Sequence, residues 1–469
     1  MSFLSHRLLR LGALSLLLLP LGSAVNRPQQ GPQPDPQVIA QFGLYQNATL
    51  QSLIDTKGQQ MNKISDRPGN YGFTIVDSPI INAFATPDGH VYFTRGIMAY
   101  FNNEAQFAGV LGHELGHITA RHGQQQQRRS TVAGIGLLLG SLASKRIASI
   151  AQPLSQGVGV LFLKYGRDDE READQLGVKY STKIGYDAAQ MADFFNTLQR
   201  SEAQSGASST PTFLSSHPNS ADRYKTVKAL AAQAKASVGN ATLNVNRNEY
   251  LRAIEGLPYG DDPRQGFVES GYFYHPDLKF QMPVPSGWKS QNSTTQFQMA
   301  EPSGKALMVL LPASGGSLEA AAQALSKSIG LTSPQAQKTT VNGFPAIVFQ
   351  GDQVSQSSGS TSARVLAYTL QDGSNYYGIV GLTAPASFAT YSPQFSRVAQ
   401  GFQRLTDASK LNRQPEKVRI KTASGSQTLA QALSANGIAA SRQEEMAILN
   451  GMQKSDRLSA GQLFKVVSR

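Results

Sequence analysis

The stretch from Asn103 to Ile118 admits one regular structure. Phe107, Val110, Leu111, Leu115 and Ile118 recur at helical spacing and make an apolar stripe. Asn103, followed three residues later by Gln106, supplies an N-cap with a capping-box partner. Residues four apart on a helix lie one above the other, so His113 and His117 point together beside the stripe. Two imidazoles so placed can hold one Zn²⁺ at about 2.0–2.1 Å each. Glu114 is too close in sequence to be a third ligand from that face. It is placed instead to take a proton from a zinc-bound water, as a general base.

A catalytic zinc needs a third protein ligand and an open position for water. The chain has no cysteine, so histidines and carboxylates must supply the site. The run Tyr165-Gly166-Arg167-Asp168-Asp169-Glu170-Arg171-Glu172-Ala173-Asp174 reads as the start of a second helix. Glu170 and Asp174 fall one turn apart. Glu170 can reach the metal while Asp174 hydrogen-bonds a ligand histidine and orients it. Glu172 departs from Glu170 by about 200° around the helix and faces elsewhere. The expected cofactor is one Zn²⁺ per chain.

The N-terminus has a different character. Arg7 and Arg10 precede an apolar run, Leu11 to Leu21, and small residues, Gly22-Ser23-Ala24, follow it. The run is too short for a permanent span and fits a secretory signal peptide over 1–24. The expectation is an exported protein of the periplasm or cell envelope, without a permanent transmembrane helix in the mature chain. The apolar segment Val132–Leu142 is also only about half a span in length and reads as a buried helical arm. A formal charge of +12 without a dense Lys/Arg patch or interleaved aromatics gives no nucleic-acid partner. The envelope membrane surface is a candidate contact.

At 469 residues the chain calls for two to four domains. Residues 25–38 are Pro/Gln-rich and read as a flexible N-terminus. Residues 39–262 are mainly helical with one strand-like region, Phe73–Val76 and Ala83–Thr94, and a small polar loop at 201–211. Strand-like and helix-like runs mix over 263–409, an α+β accessory domain. Residues 410–417 form a linker to a last small unit, 418–469. The fold class is thus α+β and multidomain, headed by a helical zinc domain with a small sheet.

His113-Glu114-Leu115-Gly116-His117 followed by Glu170-x-x-Ala173-Asp174 resembles the gluzincin zinc metallopeptidases of the CAAX prenyl protease, HtpX and BepA type. Asn82-Ala83-Phe84-Ala85 with Gly89, Arg95-Gly96, Gly185-Tyr186-Asp187 with Met191, and His217-Pro218 with Arg223 extend the match across about 45–230. Nothing after residue 24 spans a membrane, which places the chain nearest the soluble periplasmic BepA-like members. The resemblance implies a zincin-like fold and an endopeptidase that hydrolyses peptide bonds of misfolded or misassembled envelope proteins. It implies ligands His113, His117 and Glu170 and base Glu114. His217 has two open roles: a donor to the oxyanion, or a fourth ligand that keeps the enzyme latent. Arg223 buttresses it. The segment Ala83, Phe84, Ala85 and Val91 offers an edge strand for an extended substrate. His122, His90 and His275 read as structural. The C-terminal unit resembles a LysM module through Gln427-Thr428-Leu429, Leu449-Asn450 and Leu458–Val466, making peptidoglycan a second candidate partner. Alternatives to a protease are a zinc-plugged scaffold and a peptidoglycan-binding adaptor.

Overall fold

A computed structural model describes residues 31–129, 165–205, 212–217, 223–239, 241–354 and 361–469. The expected leader over 1–24, the apolar segment 132–142, residues 206–211 of the expected loop, and Pro218 lie outside the described residues. Among those described, no helix is long and apolar enough to cross a membrane.

Helices α1 (Pro36–Phe42) and α2 (Ala48–Ile64) start at side-chain caps, Asp35 accepting from the amide of Gln37 and Asn47 from that of Leu50. A three-stranded sheet follows, of β1 (Gly72–Val76), β2 (Ala83–Ala85) and β3 (His90–Thr94). All three strands are buried. The strand order is β1-β3-β2, with β3 parallel to β1 and antiparallel to β2. Ala83, Phe84 and Ala85 therefore lie on an edge strand. Val91 does not: it sits on the central strand between Phe73 and Ala85, so its backbone has a neighbour on each side and cannot receive a peptide.

The helical part continues through α3 (Arg95–Tyr100), α4 (Glu104–Thr119), α5 (His122–Arg129), α6 (Arg167–Lys183), α7 (Ala189–Ser205), α8 (Thr212–Ser216), α9 (Arg223–Ser237) and α10 (Arg247–Ala253). The Asn103 side chain caps α4, accepting from the amide of Gln106. The Gln106 side chain reaches back one residue further than a capping box requires and accepts from the amide of Asn102. Phe107, Val110, Leu111 and Leu115 are fully buried, and every residue of α4 except Ile118 is buried too. A helix enclosed on all sides must meet its neighbours closely, and glycines allow that. A Cβ on Gly112 would stand 2.9 Å from the carbonyl oxygen of Gly177 on α6. One on Gly177 would stand 2.9 Å from the amide nitrogen of His113. The two helices thus touch backbone to backbone, and this contact brings the acidic start of α6 within reach of the histidines of α4.

Beyond Asp262 the structure is dominated by antiparallel sheet. Strands β4 (Phe267–Glu269), β5 (Tyr272–His275) and β6 (Phe280–Pro283) form a small sheet with β14 (Gln403–Arg404). A seven-stranded sheet is built from β7 (Lys289–Asn292), β8 (Phe297–Ala300), β9 (Ala306–Ala313), β10 (Leu331–Val341), β11 (Phe344–Val354), β12 (Thr361–Asp372) and β13 (Asn375–Thr383), in the order β10-β11-β12-β13-β9-β8-β7. Alternate residues feed two cores. Ile347, Phe349 and Val365 pack with Leu318 and Leu325 of α11 (Leu318–Ser328). Ala346, Tyr368 and Ile379 pack with Phe395 and Val398 of α12 (Phe388–Gln400) on the other face.

After a short α13 (Ala408–Leu411), the C-terminal unit runs β15 (Lys417–Thr422), β16 (Gln427–Thr428), α14 (Leu429–Ala435), α15 (Gln443–Leu449), β17 (Arg457–Leu458) and β18 (Leu463–Ser468). Its outer strands β15 and β18 pair antiparallel. Its core is continuous with that of the helical part: Leu429, Met446, Phe464 and Val466 share one buried cluster with Ile97, Phe101 and Phe107. Lys465 is fully buried and donates from Nζ to the carbonyls of Ala99 (2.7 Å) and Phe101 (3.0 Å) at the end of α3.

Candidate metal centre

Four side chains converge beneath the α4–α6 contact. His113 and His117 come from α4, Glu170 from the first turn of α6 and His217 from the residue after α8. One donor atom from each lies within 4.8 Å of the others, and all four residues are buried. His113 Nε2 is 3.1 Å from His117 Nε2 and 3.3 Å from His217 Nδ1. His217 Nδ1 is 3.0 Å from Glu170 Oε1, which is 3.6 Å from His117 Nε2.

These spacings fit a metal. Donors at about 2.0–2.1 Å from a tetrahedral ion stand roughly 3.3–3.4 Å from one another, the middle of the observed range. Hydrogen bonding alone does not explain them. His113 Nδ1 faces Asp174 Oδ1 at 3.0 Å, and a carboxylate there places the imidazole proton on Nδ1. Nε2 then presents a lone pair to two further ring nitrogens. Four potential ligand atoms gathered in one buried pocket suit a cation between them.

The surrounding contacts orient these donors. Arg223 at the start of α9 donates Nε and Nη2 to the two oxygens of Asp174 at 2.8 and 2.7 Å, and its Nη1 lies 2.9 Å from Glu170 Oε2. Its guanidinium also lies 4.3 Å from the centre of the Phe195 ring. Burial alone would raise the Asp174 carboxyl. Arg223 and the hydrogen bond from His113 outweigh that and hold it below the ordinary aspartate value. Glu114 is the opposite case. It is fully buried, neither carboxylate oxygen has a hydrogen-bond partner, and burial pushes its pKa up. Its Oε1 lies 3.5 Å from His217 Nε2.

Two neighbours were not legible from the motifs. His122 approaches His117, with Nδ1 3.0 Å from Nδ1, and its Nε2 lies 3.3 Å from Glu172 Oε2. Arg121 adopts φ 63°, which ends α4 and folds His122 back against it. Periodicity along one helix carries no trace of that turn. Tyr165 stacks on the His117 ring with centroids 3.8 Å apart. Glu172 itself stays outside the cluster, its side chain 57% exposed. The edge strand β2 is as buried as the centre, Ala83, Phe84 and Ala85 being 0%, 4% and 8% exposed.

Two histidines one turn apart, a glutamate from a second helix, a third histidine and a buried carboxylate whose oxygens accept no hydrogen bond thus form a group able to hold a metal ion. In agreement, residues 45–231 match the model of Peptidase family M48. Three relatives illustrate the range of the match. The beta-barrel assembly-enhancing protease of Yersinia pestis is 29% identical over 210 residues, 42% of each chain. The mitochondrial metalloendopeptidase OMA1 of Arabidopsis thaliana is 30% identical over 153 residues, 32% of this chain and 30% of that protein. The metalloprotease YcaL of Escherichia coli is 28% identical over 182 residues, 37% of this chain and 66% of that one. The chain thus spans less than half the length of the first two. Among solved structures, cyanobacterial PsbP from Synechocystis aligns with 30% of this chain and 96% of its own at 12% identity and a TM-score of 0.25, and no argument rests on it.

Proposed function

We propose that the chain is a zinc-dependent endopeptidase of the cell envelope, with His113, His117 and Glu170 as metal ligands and Glu114 as general base. The observation that carries this reading is the convergence of ring nitrogens and a carboxylate oxygen from His113, His117, His217 and Glu170 at 3.1–3.6 Å, beside a buried Glu114 whose oxygens accept no hydrogen bond. Bound zinc would supply Lewis acidity toward a water and a peptide carbonyl. Glu114, held basic by desolvation, takes the proton of the attacking water and returns it to the departing amine. Asp174 fixes the tautomer of His113, and Arg223 fixes Asp174 and Glu170 together. Burial keeps bulk water from screening these charges. The test is degradation of casein by the purified protein. Glu114→Gln should keep its zinc and lose at least about 10²-fold in turnover; equal degradation by the variant would refute the assignment.

A second reading concerns His217, whose Nδ1 lies 3.3 Å from His113 Nε2 and 3.0 Å from Glu170 Oε1. In that position it would serve as a further ligand to a bound metal in place of water and keep the enzyme latent. Its withdrawal would open the site and leave an oxyanion donor. Faster casein cleavage by His217→Ala favours the plug; slower cleavage of a short peptide favours the donor. Export to the periplasm, and action on proteins under assembly there, is supported by the relatives named for β-barrel assembly. A LysM-like unit binding peptidoglycan is supported by the two helices of 417–468 enclosed between strand pairs, the outer two strands pairing with each other.

A further inference from the structure

A cavity of about 170 Å³ opens directly beside the metal centre, lined by His117 and Tyr165 on one side. Across from them lie Ala85 at the end of the edge strand, the β2–β3 turn residues Pro87 and Asp88, and Tyr71. Two arginines complete the lining, Arg67 from the loop after α2 and Arg121 from the turn between α4 and α5. The volume is well under the roughly 300–1,000 Å³ of drug-sized sites and suits one side chain.

The charges in this cavity are unbalanced. Among the described residues neither Arg67 nor Arg121 forms an ion pair or a side-chain hydrogen bond, and Asp88 is the one carboxylate of the lining, itself unpaired. Both guanidiniums act electrostatically on the Tyr71 hydroxyl, so they share one locality. That hydroxyl donates to the Arg67 carbonyl at 2.9 Å, which ties the first arginine's backbone to the cavity wall. The second is held by its own backbone. Arg121 is one of five non-glycine residues with positive φ among those described. That conformation is the usual ending of a helix, and it sets the direction in which Arg121 leaves α4. It stands four residues after the ligand His117, so whatever it grips lies next to the reacting bond.

We infer that this cavity is a specificity subsite for a substrate carboxylate, gripped by Arg67 and Arg121 while the peptide lies along β2. The inference rests on the endopeptidase reading and names the substrate class for it: extended peptides with an acidic side chain next to the scissile bond, whereas a preference for a free C-terminus there would make the enzyme a carboxypeptidase and overturn it. Arginine matches a carboxylate with paired N–H donors. Both arginines are exposed, so a neutral amide in the same place leaves them to water and forgoes only the charge-assisted pairing. The discrimination expected between Glu and Gln at that position is about 2- to 5-fold in kcat/KM, the worth of pairing with solvent-exposed cations.

The test uses the full chain and internally quenched peptides with amidated C-termini. Glu, Gln or Lys is placed in turn at each of the two residues on either side of the cleaved bond. A second arm carries no acid but ends in a free carboxylate placed just after that bond. Preference for Glu at one position identifies an acidic side chain; preference confined to the second arm identifies a carboxypeptidase and overturns the inference. Arg121→Asn, chosen because asparagine tolerates left-handed backbone, and Arg67→Gln should each shrink the Glu:Gln ratio toward one. Arg121→Glu should turn it toward Lys. In parallel, anisotropy measures binding of the same labelled peptides to Glu114→Gln, which needs no turnover. Tighter binding of the Glu peptide without cleavage by wild type sustains the cavity and sinks the peptidase reading. Cleavage by wild type with equal rates and equal binding for Glu, Gln and the free carboxylate sinks the cavity and leaves the peptidase reading standing.

Discussion

The backbone contact between α4 and α6 makes a sharp forecast. In Gly177→Ala the new Cβ would stand 2.9 Å from the amide nitrogen and 3.1 Å from the Cα of His113. Relaxed contacts of carbon lie at about 3.5 Å or more, so the helices must part by roughly 0.5 Å. Metal–ligand distances tolerate only about 0.2 Å. The separation carries Glu170 and Asp174 on α6 away from His113 and His117 on α4, so the centre should lose zinc affinity before the fold is lost. Overpacking costs about 1–3 kcal/mol, against about 1 kcal/mol gained by alanine over glycine in a helix. The metal-free protein should therefore lose only about 0–2 kcal/mol. A zinc affinity reduced about 10- to 100-fold, the usual consequence of disturbing ligand support, removes a further 1.4–2.8 kcal/mol or so of zinc-linked stability. The assay is zinc titration with competing chelator, alongside urea unfolding with and without zinc. Gln175→Ala, exposed on the same helix, is the control. Wild-type zinc affinity in Gly177→Ala, or an equal loss in Gln175→Ala, would show that the helix contact does not set the site.

Three further outcomes follow from the geometry. Asp174→Asn removes the charge that fixes the His113 tautomer and strands Arg223, so chelator competition should show zinc affinity down about 10- to 100-fold, with the secondary structure intact by circular dichroism. His90 is buried, with Nε2 2.8 Å from Thr74 Oγ1, and desolvation lowers its pKa to about 4. Its neutral form is the one the fold accepts, so the stability it contributes is complete above about pH 6.5 and drains as pH falls toward 4, by up to about 3 kcal/mol. Urea midpoints compared at pH 7.5 and 4.5 should fall less steeply in His90→Gln than in wild type, and equal slopes would refute this. Lys465→Met leaves the carbonyls of Ala99 and Phe101 without their donor and should lower stability by about 1–3 kcal/mol in thermal unfolding; an unchanged midpoint would show that the tether carries no load.

What the sequence revealed of this site was local. His113, His117 and Glu114 are fixed by spacing on one helix, and Glu170 and Asp174 by spacing on another. The stripe Phe107, Val110, Leu111, Leu115 announced the burial of α4 because each of those residues is apolar and none has an alternative use. What escaped depends on contacts between distant segments. Strand β10 reads Leu331-Thr-Ser-Pro-Gln-Ala-Gln-Lys-Thr-Thr-Val341, polar enough to look like a loop. It becomes a strand because it is an edge, where polar residues face solvent and Pro334 is accommodated at a register shift. Val91 sits on the central strand of its sheet, and no single-strand pattern tells a central strand from an outer one. His122 lies off the helical spacing of His117 and reaches it through the left-handed Arg121.

Lys465 shows the same limit at the largest scale. In sequence it is one lysine in an apolar strand, a placement that argues for a solvent-facing position. In the structure it is buried, and burial pushes its pKa well below the ordinary lysine value. Its ammonium is tolerated because two carbonyls at the end of α3 lack helical partners, and a donor at a helix C-terminus answers both needs at once. Those carbonyls lie 364 and 366 residues back along the chain, just before Asn103 caps the helix that carries His113 and His117. The C-terminal unit therefore clamps the approach to α4, while Gly177 of α6 presses on its middle and Arg121 turns its end. Each of the three fixes a different degree of freedom of one helix: its start, its distance from Glu170, and its exit. A donor cluster with edges near 3.3 Å requires all three, because a helix free in any one of them could shift its two imidazoles by more than the few tenths of an ångström a metal allows.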